Sequence, residues 1–563
     1  LYMQTPGVAM TFKPRLVWTR DKSNSDDEAV TSLEEQREQM INSTLYRSLN
    51  KTATFLGDFD FSMTIKVPRT SDAIDVWGQL YFNTDNSEQE SSNIIRYGDA
   101  SIPTDARHSR TDNDPSHFIN GRFGAKYNLV LNSKLNATLS YTGYLYRRKE
   151  TSAYYLGLLE GGHTGDFTLA QLEQVKMNFD PLNSHKSTET NSNHKAELSV
   201  SYKLDDHWSL SGNLPLNYYN RNLNYRQNGV EYPASYSTLL FEPNVKIEWS
   251  NYGGPGYAQC YASYMRYSNP PPLTSLITIP DTRNPLSQFV GNPDLKHFTT
   301  DYFYIYASKG GHNLTLYTMN NLNVHHNYIT NGYIYDLNSG KRTYKSYNVN
   351  GNWEFQTYNY CSWYWGKINC YFKGSFNFSH DVTHSMLGTS EMALTRVRRI
   401  TDRYTPSVSI DKYFGTRYNQ RNTISLSVEP VFTHTSSTDV NDSKLNPVDV
   451  NYKLGAKFEL PFSWSVSSSI NLRTRRGYNT PMMNREEWIW NARVSKSFLK
   501  GKLLASVVAY DLLHQHQAVS YYVTSQMRTE TFTNTIPRYI LLDLQYKINI
   551  MPKKKIEQNV HYY

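Results

Sequence analysis

The sequence predicts an all-β chain that folds as one large antiparallel transmembrane β-barrel of about twenty strands, with short turns at one rim and long loops at the other. Three observations predict this fold class. Apolar and polar residues alternate along many segments, short turns alternate with long polar loops, and no apolar stretch approaches the roughly 18 residues of a membrane-spanning helix. The 563 residues suffice for several soluble domains or for one very large closed sheet.

Alternation with a period of two is the strongest local signal. Between positions 196 and 204, Ala196, Leu198 and Val200 alternate with Glu197 and Ser199. Successive side chains of a strand point to opposite faces, so such a segment has one apolar and one polar face. The same pattern recurs over most of the chain, for example at 137–145, 424–432, 452–460 and 462–472. We predict that these segments are amphipathic strands.

The composition agrees with a sheet that is wet on one face. The chain contains 46 Tyr, 14% aromatic and 19% charged residues, and its mean hydropathy is −0.63. Aliphatic residues are scarce for several soluble cores, whereas Tyr, Ser, Thr and Asn are abundant, as in a barrel with a polar lumen. The net charge of +8 is spread along the chain. Without a basic stripe or a recognised binding motif, we expect no nucleic-acid partner.

Short turns and long polar loops follow one another along the chain. Short turns are predicted at Asp205-Asp206 and Gly310-Gly311, and long loops at 20–50, 84–120 and 269–299. Antiparallel strands joined in this way place all tight turns at one rim and all long loops at the other, as in barrels of the bacterial outer membrane. About ten long loops with two strands each give about twenty strands.

A string of soluble β-domains or a β-solenoid is the alternative fold. The sequence shows no fixed repeat period and no linker rich in Pro, Gly and Ser, which such folds need. Sheets of more than about ten strands curl, split or close, and closure removes the exposed edges that aggregate. These points favour one closed barrel.

Tryptophan lies where a membrane barrel needs it. Trp363 and Trp365 stand beside a predicted tight turn, and Trp488 and Trp490 stand beside a predicted loop. Aromatic residues form girdles at both interfaces of a membrane barrel. We therefore predict that these four residues lie at the two membrane surfaces.

No catalytic residue, cofactor or metal site is expected. His325-His326 and the pair His514 and His516 lack a partner Cys or carboxylate at ligand spacing, so solvated loop histidines are the simpler interpretation. The acidic run 99–114 lacks EF-hand spacing. No G-x-S-x-G passage appears, and the sequence gives no other catalytic constellation.

Two of the three cysteines deserve a structural test. If Trp365-Gly366 forms a two-residue hairpin turn, Cys361 stands directly opposite Cys370. Cα atoms of such a pair approach to about 4.5 Å, which is within disulfide range. The two residues are either a disulfide or two small apolar strand residues.

Residues 284–296 precede a strand at 300–308, and their distinctive positions are Asn284, Pro285, Leu286, Val290, Gly291, Asn292, Pro293, Leu295 and Lys296. This loop signature resembles a recurrent passage of the TonB-dependent receptor barrels of the Bacteroidota, in which a loop of the type NPL…VGNP.LKPE leads into an aromatic strand. The stretch 495–503, the pair 511–512 and the stretch 537–548 also look like that family's last three strands. Turn-forming chemistry explains the loop signature, so we interpret it as structural.

The chain departs from that family in three respects. His297-Phe298 replaces the family's Pro-Glu, and a basic tail follows the last strand. A family member also carries an N-terminal plug domain and a TonB-contacting segment, and neither fits before a first strand near Val8. The resemblance implies 22 strands, so the simplest expectation is that the plug and the first hairpin lie upstream of Leu1 or are lost. We expect the barrel to span 1–549 and the tail to span 550–563.

The resemblance implies a transporter or receptor in the outer membrane of a Gram-negative bacterium. Its solute would be bulky, such as a siderophore, an oligosaccharide or a peptide. Its partners would be outer-membrane lipid and lipopolysaccharide, a surface lipoprotein, and the TonB system only if an upstream plug exists. The alternative is a plugless barrel that acts as an open porin-like channel or as a structural interaction partner.

Overall fold

The structure, a computed structural model, describes most of the chain. The described residues are 2–5, 7–32, 40–159, 168–252, 256–336, 338–388, 394–415, 422–438, 444, 446–478, 484–516, 519–523, 528–532, 536 and 538–547. The basic tail predicted at 550–563 lies outside these residues.

Almost all regular structure is extended chain. In the described ranges, one short α-helix, α1 (Leu169–Leu172), and a few 3₁₀ turns accompany 28 strands. The strands are β1 (Tyr2–Thr5), β2 (Val8–Ser32), β3 (Met40–Lys66), β4 (Ala73–Tyr97), β5 (Asp105–Val130), β6 (Leu135–Leu158), β7 (Asn178–Phe179), β8 (His185–Lys203), β9 (Trp208–Gln227), β10 (Val230–Phe241), β11 (Asn244–Asn251), β12 (Tyr257–Asn269), β13 (Ser287–Val290), β14 (Phe298–Gly310), β15 (Leu314–His326), β16 (Tyr328–Tyr335), β17 (Arg342–Val349), β18 (Asn352–Trp365), β19 (Cys370–Gly388), β20 (Thr395–Tyr413), β21 (Thr423–Ser437), β22 (Val448–Leu460), β23 (Trp464–Arg476), β24 (Glu486–Phe498), β25 (Leu503–Tyr510), β26 (Val519–Val523), β27 (Arg528–Phe532) and β28 (Tyr539–Tyr546). In the part of the chain that the structure describes, no helix is both long enough and apolar enough to cross a membrane.

Twenty strands form the wall of a large β-barrel, as the sequence predicts. Of the 28 strands, β1, β7, β13, β16, β17, β26 and β27 lie outside the wall. β10 and β11 pair with the upper and lower halves of β9, so they form one wall strand that is interrupted at Glu242-Pro243. Neighbouring wall strands pair antiparallel in chain order from β2 to β28. No ladder joins β28 to β2 among the described residues.

The period-two pattern of the sequence becomes an apolar outer face and a wetter inner face. In β14, Phe303 and Ile305 lie on the outer face and are 44% and 55% exposed. In β22, Leu454 is 49% exposed on the same outer side, whereas its neighbour Lys453 points to the lumen. A continuous apolar surface of this size is expected only where lipid covers it. The sheet therefore has the amphipathic pattern of a membrane barrel.

The aromatic girdles lie at both ends of this apolar belt, as predicted. The outward side chains of Trp363 and Trp365 lie at the short-turn end, and those of Trp488 and Trp490 lie towards the long-loop end. On β18 alone, Trp353 and Trp365 are separated by twelve positions. At the usual rise and tilt, this separation corresponds to about 30 Å along the barrel axis, close to the thickness of the apolar layer.

Two segments that the sequence assigned to polar loops are strands instead. The regions 20–50 and 84–120 belong largely to β2, β3, β4 and β5, which extend for 25 to 27 residues. At about 3.3 Å per residue, these strands are about 80 to 90 Å long, far longer than the membrane requires. Above the membrane both faces of the sheet can be polar, so the alternation that marks a strand is lost from the sequence.

The disulfide register predicted for Cys361 and Cys370 is wrong. The turn between β18 and β19 contains four residues, 366–369, rather than two, and Asn369 has a φ of 51°. Cys370 therefore stands opposite Trp365, and Cys361 stands opposite Gly374. Both thiols are free.

A charge on the outer face should destabilise the barrel. We expect Leu454→Arg to lower the free energy of unfolding in lipid vesicles by about 2 to 4 kcal/mol, because it places a cation in the middle of the apolar belt. The measurement is urea unfolding followed by tryptophan fluorescence.

The matched control is Lys453→Gln at the next position, which faces the lumen. It should change the free energy of unfolding by less than about 0.5 kcal/mol. Equal destabilisation by the two variants would contradict the assignment of the faces.

Candidate functional site

The lumen is crossed at its long-loop rim by two segments. The first, here called the crossing loop, comprises residues 270–297 between β12 and β14. The second, here called the crossing hairpin, is formed by β16 and β17 between β15 and β18. The crossing hairpin reaches β3 on the opposite side of the wall, and the crossing loop reaches residues of β9 and β5, so the two segments lie over the mouth of the barrel.

A small apolar cluster anchors the crossing loop to the inner face of the wall. Leu273, Leu276 and Leu295 of the loop pack against Leu223 of β9, and all four side chains are buried. A one-turn 3₁₀ helix, Leu273–Leu276, presents two of these leucines. Burial of each side chain stabilises the contact by about 1.5 to 3 kcal/mol relative to exposure. The loop is therefore a packed element of the mouth.

Polar contacts extend the crossing loop across the rim. The Arg221 guanidinium donates to the Pro271 carbonyl at 3.2 Å, and Gln227 Nε2 donates to the Pro280 carbonyl at 2.7 Å. Thr282 exchanges two hydrogen bonds with Asn183, of 2.8 and 3.0 Å. Its carbonyl also accepts from Arg107 of β5 at 2.5 Å. The loop thus joins strands that are several positions apart in the wall.

The residues of the loop signature organise this same loop. A Cβ atom at Gly291 would lie 2.2 Å from the Ile277 carbonyl carbon, so a side chain there would displace the backbone. Asn292 Nδ2 donates to the Ser346 carbonyl of β17 at 2.9 Å. Asn284 Oδ1 accepts from the Leu286 amide at 3.0 Å. The remaining signature positions lie in the short strand β13 or beside it, at Pro285, Val290, Pro293, Leu295 and Lys296.

The crossing loop and the crossing hairpin are joined to each other. β13 pairs in parallel with β17 from Ser287 opposite Arg342 to Val290 opposite Lys345. The Lys296 amide and carbonyl both bond to the side chain of Asn348, at 2.8 and 3.0 Å. The two segments therefore form one cover.

The far end of the crossing hairpin reaches the second strand of the wall. Asn42 Nδ2 of β3 donates to the Ser339 carbonyl at 3.3 Å. Gly340 has a φ of 72°, and a Cβ atom there would lie 2.3 Å from Asn42 Nδ2. β3 is the second wall strand, whereas β15 and β18 are the eleventh and twelfth, so the hairpin spans the mouth between opposite sides of the barrel.

Beneath the cover, tyrosines cluster on the inner face of four adjacent strands. In this tyrosine wall, ring centroids lie 5.2 Å apart for Tyr261 and Tyr306, and 4.9 Å apart for Tyr317 and Tyr360. The set occupies alternate positions of β12, β14, β15 and β18, and register places the members side by side. The tyrosine wall consists of Tyr261, Tyr302, Tyr304, Tyr306, Tyr317, Tyr358 and Tyr360.

The cations beside the tyrosine wall already have partners. Lys246 pairs with Glu248 at 2.6 Å and lies 4.3 Å above the ring of Tyr261. Lys373 pairs with Asp411 at 2.5 Å. These pairs neutralise both edges of the wall, so the surface between them is aromatic and largely uncharged.

The histidine pair weighed as a metal site is split by the strand geometry. His325 Nδ1 lies 2.9 Å from Thr300 Oγ1 on the inner side, and His326 Nε2 lies 2.9 Å from Asp301 on the outer side. Adjacent residues of a strand cannot converge on one ion. In the acidic run, Asp105 and Asp112 pair with Arg107 and Arg110. No group of three metal-ligating side chains is found among the described residues.

An ion pair in the crossing loop is sensitive to pH. The guanidinium of Arg283 donates to Asp281 at 2.6 Å. Burial raises the pKa of Asp281, but the hydrogen bonds and charge of Arg283 outweigh burial, so the pKa lies below its ordinary value. A lowered pKa in the folded state stabilises the loop above the unfolded pKa, and this contribution is lost as the pH falls through the folded value.

Sequence reasoning missed the cover and the tyrosine wall. By itself, the loop signature predicts only a turn. Tyrosine at the alternate positions 302, 304 and 306 indicates an aromatic face on one strand. The other strands of the wall could be placed beside it only when the register was known.

Comparison with known proteins matches residues 256–546 to the outer membrane protein beta-barrel family. No curated protein matches the sequence. Among solved structures, the chain is similar to the siderophore receptor PirA from Pseudomonas aeruginosa, with 11% identity, coverage of 87% of this chain and 80% of that one, and a TM-score of 0.37. It is similar to the hemophore receptor HasR of Serratia marcescens, with 10% identity, 96% and 78% coverage and a TM-score of 0.40. It is also similar to BauA, the ferric preacinetobactin receptor from Acinetobacter baumannii, with 9% identity, 97% and 80% coverage and a TM-score of 0.37.

Acid should loosen the crossing loop. As the pH falls from 5 to 3, we expect the corrected hydrogen-exchange protection of residues 270–297 to fall by a few fold, because Asp281 becomes protonated. Asp281→Asn should lower the protection at pH 7 and make it independent of pH over this range. The measurement is hydrogen exchange with mass spectrometry, corrected for intrinsic rates.

The matched control is Asp294→Asn, at another acidic position of the same loop. It should retain the pH dependence of the natural chain. If Asp281→Asn retained that dependence in full, the ion pair would not be its source.

Proposed function

Because the chain belongs to the outer membrane protein beta-barrel family, we propose that it is a receptor and transporter that passes a bulky solute through its lumen. The chain is a β-barrel of the Gram-negative outer membrane. Barrels of 16 to 18 strands already leave an aqueous channel, and larger ones enclose a lumen that has to be obstructed. A lumen of twenty strands is therefore wide enough for a bulky solute.

The observation that carries this proposal is the cover. An open pore needs no element that packs on one side of its mouth and makes hydrogen bonds on the other. The crossing hairpin runs from β15 and β18 to Asn42 of β3 on the opposite side. The crossing loop is paired to this hairpin through β13, and it packs three leucines against Leu223 of β9. This arrangement supports a receptor in which the solute displaces or rearranges the cover before it enters.

The resemblance of the loop signature to receptors of the Bacteroidota extends the proposal. It adds a siderophore, an oligosaccharide or a peptide as solute, an upstream plug domain, and energy supplied through TonB. It also adds a surface lipoprotein as a partner at the long-loop rim, and lipopolysaccharide against the outer face. Catalysis has no part in this proposal.

A plugless porin-like channel or a structural interaction barrel is the second candidate. It is favoured by the lumen itself, where the described residues beneath the cover are wall strands and not a separate folded domain. The upstream gene sequence separates the two candidates. A plug-like domain supports the receptor, and a signal peptide directly before Leu1 supports the channel.

Locking the cover should stop passage of the solute. In a background where the three native cysteines are serine, Asn183→Cys with Thr282→Cys places two thiols at positions that now share two hydrogen bonds. After oxidation, we expect solute flux into liposomes to fall at least tenfold, and reduction should restore it. Liposome swelling and planar-bilayer conductance are the measurements.

The control is the single variant Thr282→Cys in the same background, which cannot form the bridge. It should respond to neither oxidant nor reductant. Full flux through the bridged protein would remove the cover from the transport path and leave the open channel as the better candidate.

A further inference from the structure

We propose that the tyrosine wall is a binding site for a neutral oligosaccharide. The inference rests on the proposed transport function and narrows its solute to one chemical class. It is carried by the chemistry and the placement of the inward side chains of β12, β14, β15 and β18.

On the central parts of β14 and β18, the inward aromatic residues are tyrosines. On β14, Phe303 points outward, while Tyr302, Tyr304 and Tyr306 point inward. On β18, Phe355 and the tryptophans point outward, while Tyr358 and Tyr360 point inward. Phenylalanine would serve as well as tyrosine if the inward rings only filled space. A ring that carries a hydroxyl group suits a wet surface that also has to present an aromatic face.

The rings form two stacked groups on adjacent strands, one on β12 and β14 and one on β15 and β18, with Met319 opposite both Tyr306 and Tyr358. Tyr302 and Tyr304 stack at 6.0 Å with planes 15° apart, and Tyr261 lies 5.5 Å from Tyr304. On the neighbouring strands, Tyr317 lies 5.5 Å from Tyr358, and their hydroxyl oxygens are 3.4 Å apart. Aromatic rings offer flat apolar faces, and their hydroxyl groups both donate and accept hydrogen bonds. A sugar ring matches this surface because it has apolar C–H faces and a rim of hydroxyl groups.

Amide side chains add to the hydrogen-bonding capacity of this surface. Register places Asn321 opposite Tyr304, and Asn323 opposite Tyr302. Gln356 lies opposite Asn321 on the next strand. The Oδ1 atom of Asn323 is buried and has no hydrogen-bond partner among the described residues, although Nδ2 donates to Glu354 at 3.3 Å. An unsatisfied acceptor costs stability, and a ligand hydroxyl group would satisfy it.

Charge selects a neutral solute over an anionic one. The inward positions of the four strands, all of them described, carry one formally charged side chain, Glu354. Asp381 of β19 stands directly opposite Glu354, so the rim of the wall is acidic. The neighbouring lysines are paired with carboxylates. A carboxylate or phosphate ligand would find no unpaired cation on these strands and would meet two acids above them.

The test uses the full chain in planar bilayers and measures block of the ionic current. The probes are maltohexaose, cellohexaose and xylohexaose as neutral hexasaccharides, hexagalacturonate as an anion of similar length, and hexalysine as a cationic peptide. We expect at least one neutral hexasaccharide to block the current at a concentration at least tenfold below that of hexagalacturonate. Stronger block by hexagalacturonate or hexalysine, or no block by any neutral probe, would overturn the proposal.

Variants locate the site. Tyr304→Leu with Tyr317→Leu should weaken block by the neutral probe at least tenfold, because both rings are lost from the centre of the wall. Tyr452→Leu is the matched control, since this tyrosine lies on the lipid-facing side of β22; it should stay within about twofold. Tyr304→Phe with Tyr317→Phe keeps the rings but removes two hydroxyl groups, and its block should lie between that of the natural chain and that of the leucine pair. Equal block by the leucine pair and the natural chain would refute the site.

Failure of this inference is distinguishable from failure of the proposed function. If hexalysine or hexagalacturonate passes into liposomes and neutral probes do not, the chain transports solutes but the assigned class is wrong. If no probe of any class passes into liposomes or blocks the current, the transport function itself fails.

Discussion

The structure depends on one constraint, which is that every backbone N–H and C=O group within the apolar layer must find a partner in the protein. Water is absent there, and an unpaired group costs several kcal/mol. The antiparallel ladders from β2 to β28 supply these partners between neighbouring wall strands, with each strand joined to the next in chain order. Once the ladder fixes the strands, the period of two decides which side chains meet lipid and which meet the lumen. The apolar belt, the girdles and the tyrosine wall follow from this division.

Much of the barrel could be predicted because contact with lipid constrains the sequence of each strand. Within the belt, one face of each strand must be apolar, so segments such as 196–204 and 452–460 identify themselves, and the strand number follows from the loops. Above the belt this requirement ends. The polar halves of β2 to β5 look like loops for that reason, although they continue the same ladders. The length of the turn between β18 and β19 could not be predicted either. It has four residues rather than two, so Cys370 stands opposite Trp365 and not opposite Cys361.

The contacts at the mouth of the barrel join residues that are distant in sequence, and such contacts could not be predicted from the sequence alone. The signature around Gly291 and Asn292 is turn chemistry, and its local interpretation was reasonable. Its partners are distant: Gly291 packs against Ile277, and Asn292 bonds to Ser346 of the crossing hairpin. The same holds for the tyrosine wall, whose members span 100 residues of sequence, from Tyr261 to Tyr360. Alternation assigns each ring to a face, but only the register between strands makes them neighbours.

The wall strands differ in length around the barrel, so the mouth is asymmetric. β2 to β6 have 24 to 27 residues each, whereas β22 to β25 have 8 to 13. One flank therefore stands some tens of ångströms above the other. A large molecule that diffuses in from the medium therefore meets a tall face of extended sheet on the flank of β2 to β6. On the flank of β22 to β25 the sheet itself ends closer to the membrane.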